Sequence, residues 1–196
     1  MNILFRVAAL ALLLAACGGA RQDFSAPRNL DDACAIVAER PHYLRALRAS
    51  ERRWGVPVPI QMAIIHYESR FIGDARTPLR YTLGVIPMGR QSSAFGYSQA
   101  LDRTWEEYQE ATGNRRARRD NIADATDFIG WYSTLSQRRN GISLNDPRNL
   151  YLAYHEGHAG FNRQSYNAKP WLLGVASRVE SRAIMYDAQL RACRRR

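Results

Sequence analysis

The sequence has no long hydrophobic run, little cysteine and almost no lysine. Its one strongly apolar segment, residues 7–16, is too short to span a bilayer and lies too close to the start to be a core helix. No internal repeat is visible, which excludes a repeat array. Of the 196 residues, 46% are hydrophobic and 23% are charged, as in ordinary globular proteins. The length therefore predicts one domain with a single core.

The apolar run follows Arg6 and ends in small residues immediately before Cys17. This pattern resembles a bacterial lipoprotein signal, which implies removal of residues 1–16 and acylation of Cys17. Gly18 after the cysteine implies an outer-membrane lipoprotein that faces the periplasm. An ordinary secretory signal with an incidental cysteine is the alternative.

Export would leave two cysteines, Cys34 and Cys193, in an oxidising compartment. Their even number favours a disulfide between the first helix and the last, which would close a loop of nearly the whole mature domain. Two free buried thiols are the alternative.

Positive charge dominates, and arginine carries it, because Lys169 is the only lysine. The formal net charge is +10, and removal of Arg6 leaves +9. Arginine runs suggest nucleic acid, but export argues against it. Anionic lipid head groups and wall polymers are the expected partners, no nucleic acid is expected, and the protein is expected to be a monomer.

Apolar periodicity and helix-end signals predict an all-α domain over residues 31–196, preceded by a tether over residues 17–30. The predicted helices cover residues 31–40, 43–54, 60–71 with Gly73 as cap, 102–111 capped by Asp102, 122–141 capped by Asp120, 147–157 and 170–193. Helical periodicity is lost over residues 74–95, where a small hairpin or irregular lobe is expected.

One glutamate occupies a position where an ionisable group is costly. Glu68 follows Ile64 by four residues and Ile65 by three, so both isoleucines flank it along the 60–71 helix. Poor solvation raises the pKa of a carboxyl group, and a glutamic acid that is protonated near neutral pH suits general acid catalysis. A surface glutamate at the rim of an amphipathic helix is the alternative.

Four segments in order resemble the lytic transglycosylases of the soluble-lytic-transglycosylase (SLT) type. They are Glu68-Ser69 at the end of an apolar helix, Ala-Phe-Gly-Tyr-Ser-Gln at 94–99 with Trp105 after it, the apolar helix 122–135, and Leu-Ala-Tyr-His-Glu-Gly at 152–157. The resemblance covers about residues 55–160 and implies a lysozyme-like helical fold. Residues 96–99 keep only the glycine and glutamine of the family's Gly-Leu-Met-Gln, and the segment from Glu68 to Gly96 is longer than usual. The fourth motif departs through His155 in place of an asparagine and through Glu156, a carboxylate that the usual motif lacks.

The resemblance implies a peptidoglycan lytic transglycosylase, which cleaves the β-1,4 bond between N-acetylmuramic acid and N-acetylglucosamine and leaves a 1,6-anhydro end. Glu68 would be the single general acid and then the base, with the C6 hydroxyl of the sugar as intramolecular nucleophile. No cofactor and no metal are expected, since the spacing of His66, His155 and His158 matches no metal-ligand motif.

Further roles carry over residue by residue. Ser69 would orient backbone or substrate, Gly96 would let the backbone approach a sugar, and Gln99 would bind substrate or support the Glu68 side of the cleft. The Tyr154 hydroxyl would reach the Glu68 carboxyl. Tyr97 and Trp105 would offer stacking surfaces for sugar rings. Each of these residues has a purely structural alternative, as a helix cap, a turn residue or a core aromatic.

Two other functions stay open at this point. A lysozyme-like hydrolase would need a second carboxylate, Glu156 or Asp102, to place a water. A non-catalytic wall-binding lipoprotein would keep the fold and lose turnover.

Overall fold

Helices form almost all the regular structure of residues 23–82 and 85–193, the part of the chain that the computed structural model describes. The elements are α1 (Ala33–Glu39), α2 (Pro41–Trp54), α3 (Val58–Ser69), β1 (Leu79–Thr82), β2 (Ile86–Arg90), α4 (Asp102–Thr112), α5 (Ile122–Asn140), α6 (Pro147–Asn162), a 3₁₀ helix (Ser165–Ala168) and α7 (Pro170–Cys193). The predicted all-α fold is confirmed. The predicted signal and Cys17 lie outside the described residues.

Helix α3 runs through the centre of the fold. It packs against α2 and α5 on one side and along α7 on the other. Met62 and Ile65 are therefore as fully buried as Ala63 and Ile64. The sequence predicts a single core-facing apolar stripe for this helix. The predicted stripe is too narrow, because a helix surrounded by other helices is apolar on several faces.

The predicted N-caps of α4 and α5 are each displaced by one residue. The side chain of Asn121, and not that of Asp120, accepts hydrogen bonds from the first turn of α5. Asp120 instead forms an ion pair with Arg118 at 2.9 Å. Leu101 precedes α4, and Asp102 is its first helical residue, with its carboxylate 2.7 Å from the Arg119 guanidinium.

Two helix ends also differ from the prediction. Helix α3 ends at Ser69, and Arg70 in the left-handed region is its C-cap, so Gly73 does not cap it. Helix α6 does not stop at Gly157: this glycine is non-helical (φ 71°, ψ 159°), but the chain resumes helical geometry and continues to Asn162. The result is a kinked helix, which a glycine permits because it has no Cβ.

The region between α3 and α4 contains the predicted hairpin. Strands β1 and β2 are antiparallel, with Leu79 opposite Arg90, and all four β1 residues are exposed. The base is held by Thr77, whose hydroxyl donates to the Ser92 carbonyl at 2.9 Å and whose carbonyl accepts from the Arg90 guanidinium at 2.7 Å. Such bonds matter because an isolated two-stranded hairpin is only marginally stable.

The first and last helices are tied together by the predicted disulfide. Cys34 and Cys193 are bonded, with their Cα atoms 6.1 Å apart and a sequence separation of 159. On the chain-entropy model, a loop of this length contributes up to about 5 kcal/mol by restricting the unfolded chain.

Residues 23–30, which the sequence assigns to the tether, lie against the domain. Asp23 pairs with Arg40 at 2.6 Å, the Gly73 amide donates to the Phe24 carbonyl at 2.9 Å, and the Tyr186 hydroxyl donates to the Leu30 carbonyl. The predicted 17–30 tether is therefore too long, because these residues have long-range partners that local composition does not reveal.

Candidate active site

Glu68 lies in the last turn of α3 with Ile64 and Ile65, both fully buried, on its own helix. The side chain as a whole keeps intermediate exposure, but loss of hydration dominates at its carboxyl group. Burial raises the pKa of Glu68 from 4.5 to about 7, and hydrogen bonding with Tyr151 offsets part of the rise. The negative end of the α3 dipole acts in the same direction as burial. The carboxyl group is thus half protonated near neutral pH.

Tyr151, rather than Tyr154, is the tyrosine whose hydrogen bonding lowers the pKa of Glu68, which corrects the prediction for Tyr154. The Tyr154 hydroxyl donates to the Ser98 carbonyl at 2.6 Å. Both tyrosines lie on α6, three residues apart, so they share the helix face that turns towards Glu68. The negative charge on Glu68 raises the pKa of both phenols, after the larger effect of burial. This spacing could have suggested Tyr151 from the sequence alone.

Residues 96–99 form a loop that is fastened to the end of α3. The Ser69 hydroxyl faces the carbonyls of Tyr97 at 2.9 Å and Ile65 at 3.2 Å. The Gln99 side-chain amide donates to the carbonyls of Ala75 at 3.0 Å and Gly96 at 2.8 Å. Both polar side chains therefore shape the backbone beside Glu68, and the Gln99 amide nitrogen is occupied by this loop.

The sequence predicts that Gly96 lets the backbone approach a sugar. In the structure, the group that comes close to Gly96 is instead another segment of protein backbone. The φ of Gly96 is 79°, and a Cβ there would lie 2.1 Å from the Arg119 carbonyl oxygen. The Arg119 carbonyl also accepts a hydrogen bond from the Tyr97 amide at 3.2 Å. The loop is thus pressed against the segment before α5, and only glycine fits at this position.

Tyr97 and Trp105 are core residues, so the prediction of sugar-stacking surfaces is wrong for both. Tyr97 is 1% exposed and Trp105 is 6% exposed. The Tyr97 hydroxyl is hydrogen-bonded to that of Tyr43 at 3.0 Å, and the Trp105 ring lies against Tyr108 and Phe128. Their aromatic faces pack against protein, which leaves no room for a sugar ring.

Backbone strain concentrates around the same loop. Three of the four non-glycine residues with positive φ in the described ranges are found here. Gln99 (48°) belongs to the loop, and Arg70 (52°) and Phe71 (60°) follow the end of α3 to which the loop is fastened. The Phe71 side chain is fully buried and stacks on Tyr43 with ring centroids 6.0 Å apart. Such conformations persist only where the surrounding structure enforces them, and they cluster at functional sites.

The two carboxylates considered as partners of Glu68 are both held by cations. Glu156 is 2.7 Å from the Lys169 ammonium, and its side chain is 3% exposed. Burial opposes ionisation, but hydrogen bonds from Lys169, Ser165 and His155 outweigh it and lower the pKa of Glu156 to about 2. Asp102 is occupied by Arg119, as described above. Lys169 and Ser165 are partners that the sequence analysis misses.

The histidines have other partners. The buried His66 lies 3.4 Å from the Tyr186 hydroxyl, and burial, with nearby arginines, lowers its pKa to about 4. The His158 ring stacks on Tyr132 at 4.4 Å. Within the described residues, no group of three or more His, Cys, Asp or Glu side chains could hold a metal ion.

A cavity of about 240 Å³ opens where the 96–99 loop meets α6. Gln99, Tyr154, His155 and Glu156 line it together with residues from α4 and α5. At its edge, the ring of Trp171 lies 5.2 Å from that of His155 and is 58% exposed. Trp171 is the accessible aromatic beside this cavity that sequence reasoning misses, because it belongs to a helix outside the four motifs.

A larger cavity of about 550 Å³ lies beside the disulfide. Its lining includes Val58 and Pro59 at the start of α3, whereas Glu68 is near the opposite end of that helix. The rise of an α-helix separates the two positions by about 15 Å. The smaller cavity adjoins the candidate site through Gln99 and Tyr154, although Glu68 itself is not among its lining residues.

Comparison with known families places the chain. The family model for the transglycosylase SLT domain matches residues 5–193, nearly the whole length. A search of curated proteins finds no match. The chain belongs to the SLT family of lytic transglycosylases, helical lysozyme-like enzymes that act on the peptidoglycan of the cell envelope.

Proposed function

We propose that this protein cleaves the β-1,4 bond between N-acetylmuramic acid and N-acetylglucosamine without water and leaves a 1,6-anhydro end, with Glu68 as the single general acid and base. Protonated Glu68 gives its proton to the leaving glycosidic oxygen. The resulting carboxylate then takes the proton of the C6 hydroxyl as that oxygen attacks the anomeric carbon. An intramolecular nucleophile has a high effective concentration, so this route needs no bound water.

The observation that carries this proposal is the position of Glu68 in the last turn of α3 beside the fully buried Ile64 and Ile65, where burial raises its pKa to about 7. A group with a pKa near the working pH can donate and then accept a proton in one catalytic cycle. Tyr151 is placed to hydrogen-bond the carboxylate between these two steps. Both halves of the reaction thus use one side chain.

The states of the other carboxylates favour this route over hydrolysis. A hydrolase of the usual kind needs a second carboxylate as nucleophile or as base for a water. Glu156 carries a pKa lowered to about 2 and is engaged by Lys169, Ser165 and His155, which makes it a weak base. Asp102 is neutralised by Arg119. Neither residue is poised to activate water.

We further propose that the glycan strand lies along the cavity beside Tyr154 and Gln99, with Trp171 as a platform for one sugar ring. The face of an exposed indole can cover the apolar side of a pyranose. The Ser69 hydroxyl and the Gln99 amide hold the loop in place and so support Glu68 indirectly. Gln99 keeps its side-chain oxygen as an acceptor for a sugar hydroxyl.

The domain organisation and location are part of the same proposal. Residues 1–16 would be removed as a lipoprotein signal, and acylated Cys17 would hold the domain at the outer membrane, facing the periplasm. Incorporation of labelled fatty acid into the wild-type chain, but not into Cys17→Ser, would support this. Equal labelling of the two chains would contradict it.

The decisive experiment is digestion of purified peptidoglycan, with the product masses read by mass spectrometry. We expect products lighter by one water than hydrolysis products, and none from Glu68→Gln. Glu106→Gln, which removes an exposed carboxyl on α4, is the matched control and should stay active. Hydrated products would favour a hydrolase. Binding to the polymer with no release would favour a non-catalytic wall protein.

A further inference from the structure

The exposed apolar side chains of this protein are concentrated in one place. Eight large apolar residues are exposed in the described ranges, and five of them fall between positions 72 and 88. Four belong to the hairpin: Leu79 (42% exposed), Tyr81 (54%), Val85 (76%) and Met88 (59%). We call these four, with Arg80, the hairpin surface. Exposed apolar residues grouped in this way mark an interaction site, whereas scattered ones do not.

The charge of this region has a single sign. The segment 75–101 contains Arg76, Arg80 and Arg90 and no aspartate or glutamate. Arg76 lies over the Phe95 ring at 4.2 Å, and Arg90 is bonded to the hairpin base. Arg80 is the remaining arginine, and it is exposed on β1 between Leu79 and Tyr81. Apolar side chains mixed with arginine, without acids, fit the boundary between anionic lipid head groups and acyl chains.

The hairpin also lies at the end of the fold where the chain would meet the bilayer. The backbone of Phe24 is hydrogen-bonded to Gly73, close before the hairpin in sequence. Asp23 is only six positions after Cys17, the proposed acylation site, and a chain of this length reaches at most about 20 Å. Strands of four to five residues extend about 15 Å. The reach of the segment from Cys17 to Asp23 and the length of the hairpin are similar. A bilayer that contains the acyl chains on Cys17 is therefore within reach of the hairpin.

From these observations we propose that the hairpin surface docks on a bilayer containing anionic phospholipid. The acyl anchor would fix one point of the domain, and the hairpin would supply a second contact. Two contacts restrict how the domain can rotate on the membrane. Because the hairpin base is bonded to the 96–99 loop through Ala75, the second contact would also fix the direction in which the Glu68 site faces.

The test uses the mature chain from residue 17 with Cys17→Ala, which removes the anchor. It is sedimented with vesicles of phosphatidylglycerol and phosphatidylethanolamine, or with phosphatidylcholine vesicles as the neutral comparison. We expect binding to the anionic vesicles at least tenfold stronger than to the neutral ones. The triple variant Tyr81→Ser, Val85→Ser, Met88→Ser should lose at least tenfold of that binding.

Two matched controls separate the hairpin from the general basicity of the protein. Arg80→Gln should weaken vesicle binding more than Arg116→Gln, which removes an exposed arginine outside the hairpin. Ile184→Ser, which removes another exposed apolar residue (65%) on α7, should leave binding unchanged. Equal loss in the hairpin variants and their controls would overturn the proposal.

Other occupants of the surface give different results. If the triple variant retains vesicle binding but loses binding to purified peptidoglycan, the surface binds the wall and the proposal is wrong. If the Cys17→Ala chain forms a dimer without vesicles and the triple variant is a monomer, the hairpin surface binds a second copy of the protein. The proposal is then also wrong. The rate of peptidoglycan cleavage in solution should not change in the triple variant. A failure of the vesicle-binding proposal would therefore leave the proposed enzymatic activity untouched.

Discussion

Replacing Glu68 with glutamine should stabilise the fold, and the gain should depend on pH. Burial raises the pKa of Glu68 from 4.5 to about 7, so the folded state prefers the neutral carboxyl. Below pH 4.5 the group is protonated in the folded and unfolded chains alike, and the full stability is present. As the pH rises from 4.5 through about 7, the unfolded chain releases a proton that the folded chain still holds, and this stability is lost.

The size of the effect follows from the two pKa values. Each unit of difference is about 1.4 kcal/mol, so a rise from 4.5 to about 7 corresponds to about 3 kcal/mol. Glutamine has nearly the same shape and never ionises. The free energy of unfolding of Glu68→Gln should therefore match that of the wild type in acid and exceed it by about 3 kcal/mol above pH 7.

The assay is urea unfolding of both chains, with the disulfide intact, at intervals from about pH 4 to about pH 9. Subtracting one stability curve from the other cancels every group that titrates in both. Glu106→Gln, measured in the same way, gives the effect of deleting an exposed surface carboxyl. A difference between Glu68→Gln and wild type that stays flat across this range would mean an ordinary carboxyl, and the argument for a general acid would fail.

Three further predictions concern the neighbours of this carboxyl. Tyr151→Phe removes a hydrogen bond that lowers the catalytic pKa, so the alkaline limb of the pH–rate profile on purified peptidoglycan should move to higher pH; an unmoved limb would contradict the contact. Glu156→Gln should keep turnover but lower the free energy of unfolding at neutral pH by about 1–2 kcal/mol, since its partner is partly exposed. Because its pKa is lowered to about 2, that contribution should fade as the pH falls from 4.5 towards 2, and loss of turnover would instead favour a hydrolase. Gly96→Ala should lower the free energy of unfolding by about 2–5 kcal/mol. Gly113 has a similar φ but open space around it, so Gly113→Ala should lower it by only about 1–2 kcal/mol. A larger loss for Gly113→Ala in urea unfolding would refute the close backbone contact at Gly96.

The proposed enzyme carries a cost in stability at its own site. Arg70, Phe71 and Gln99 adopt left-handed backbone conformations around a carboxyl that is poorly hydrated. Each such feature disfavours the folded state by about 1–3 kcal/mol. The disulfide, at some distance from the site, and the burial of α3 offset this cost. The substitution of Glu68 should therefore raise stability as it removes activity.

The sequence by itself determined the helices and the position of the acidic group. The apolar residues of α3 and the glycines that end several helices are local signals, because they act within one or two turns. The expectation of export, which would leave an even number of cysteines, was enough to predict the disulfide. Glu68 could be singled out because Ile64 and Ile65 belong to its own helix.

Only the tertiary structure decided which side chains surround that carboxyl. Helical spacing limits Tyr151 and Tyr154 to one face of α6, but the packing of α6 against the fold sets which of them bonds to Glu68. The burial of Tyr97 depends on its contact with Tyr43, 54 residues earlier in the chain. Glu156 is occupied because the 3₁₀ turn brings Lys169 back to it. These contacts join residues that are distant in sequence, and no local pattern encodes them.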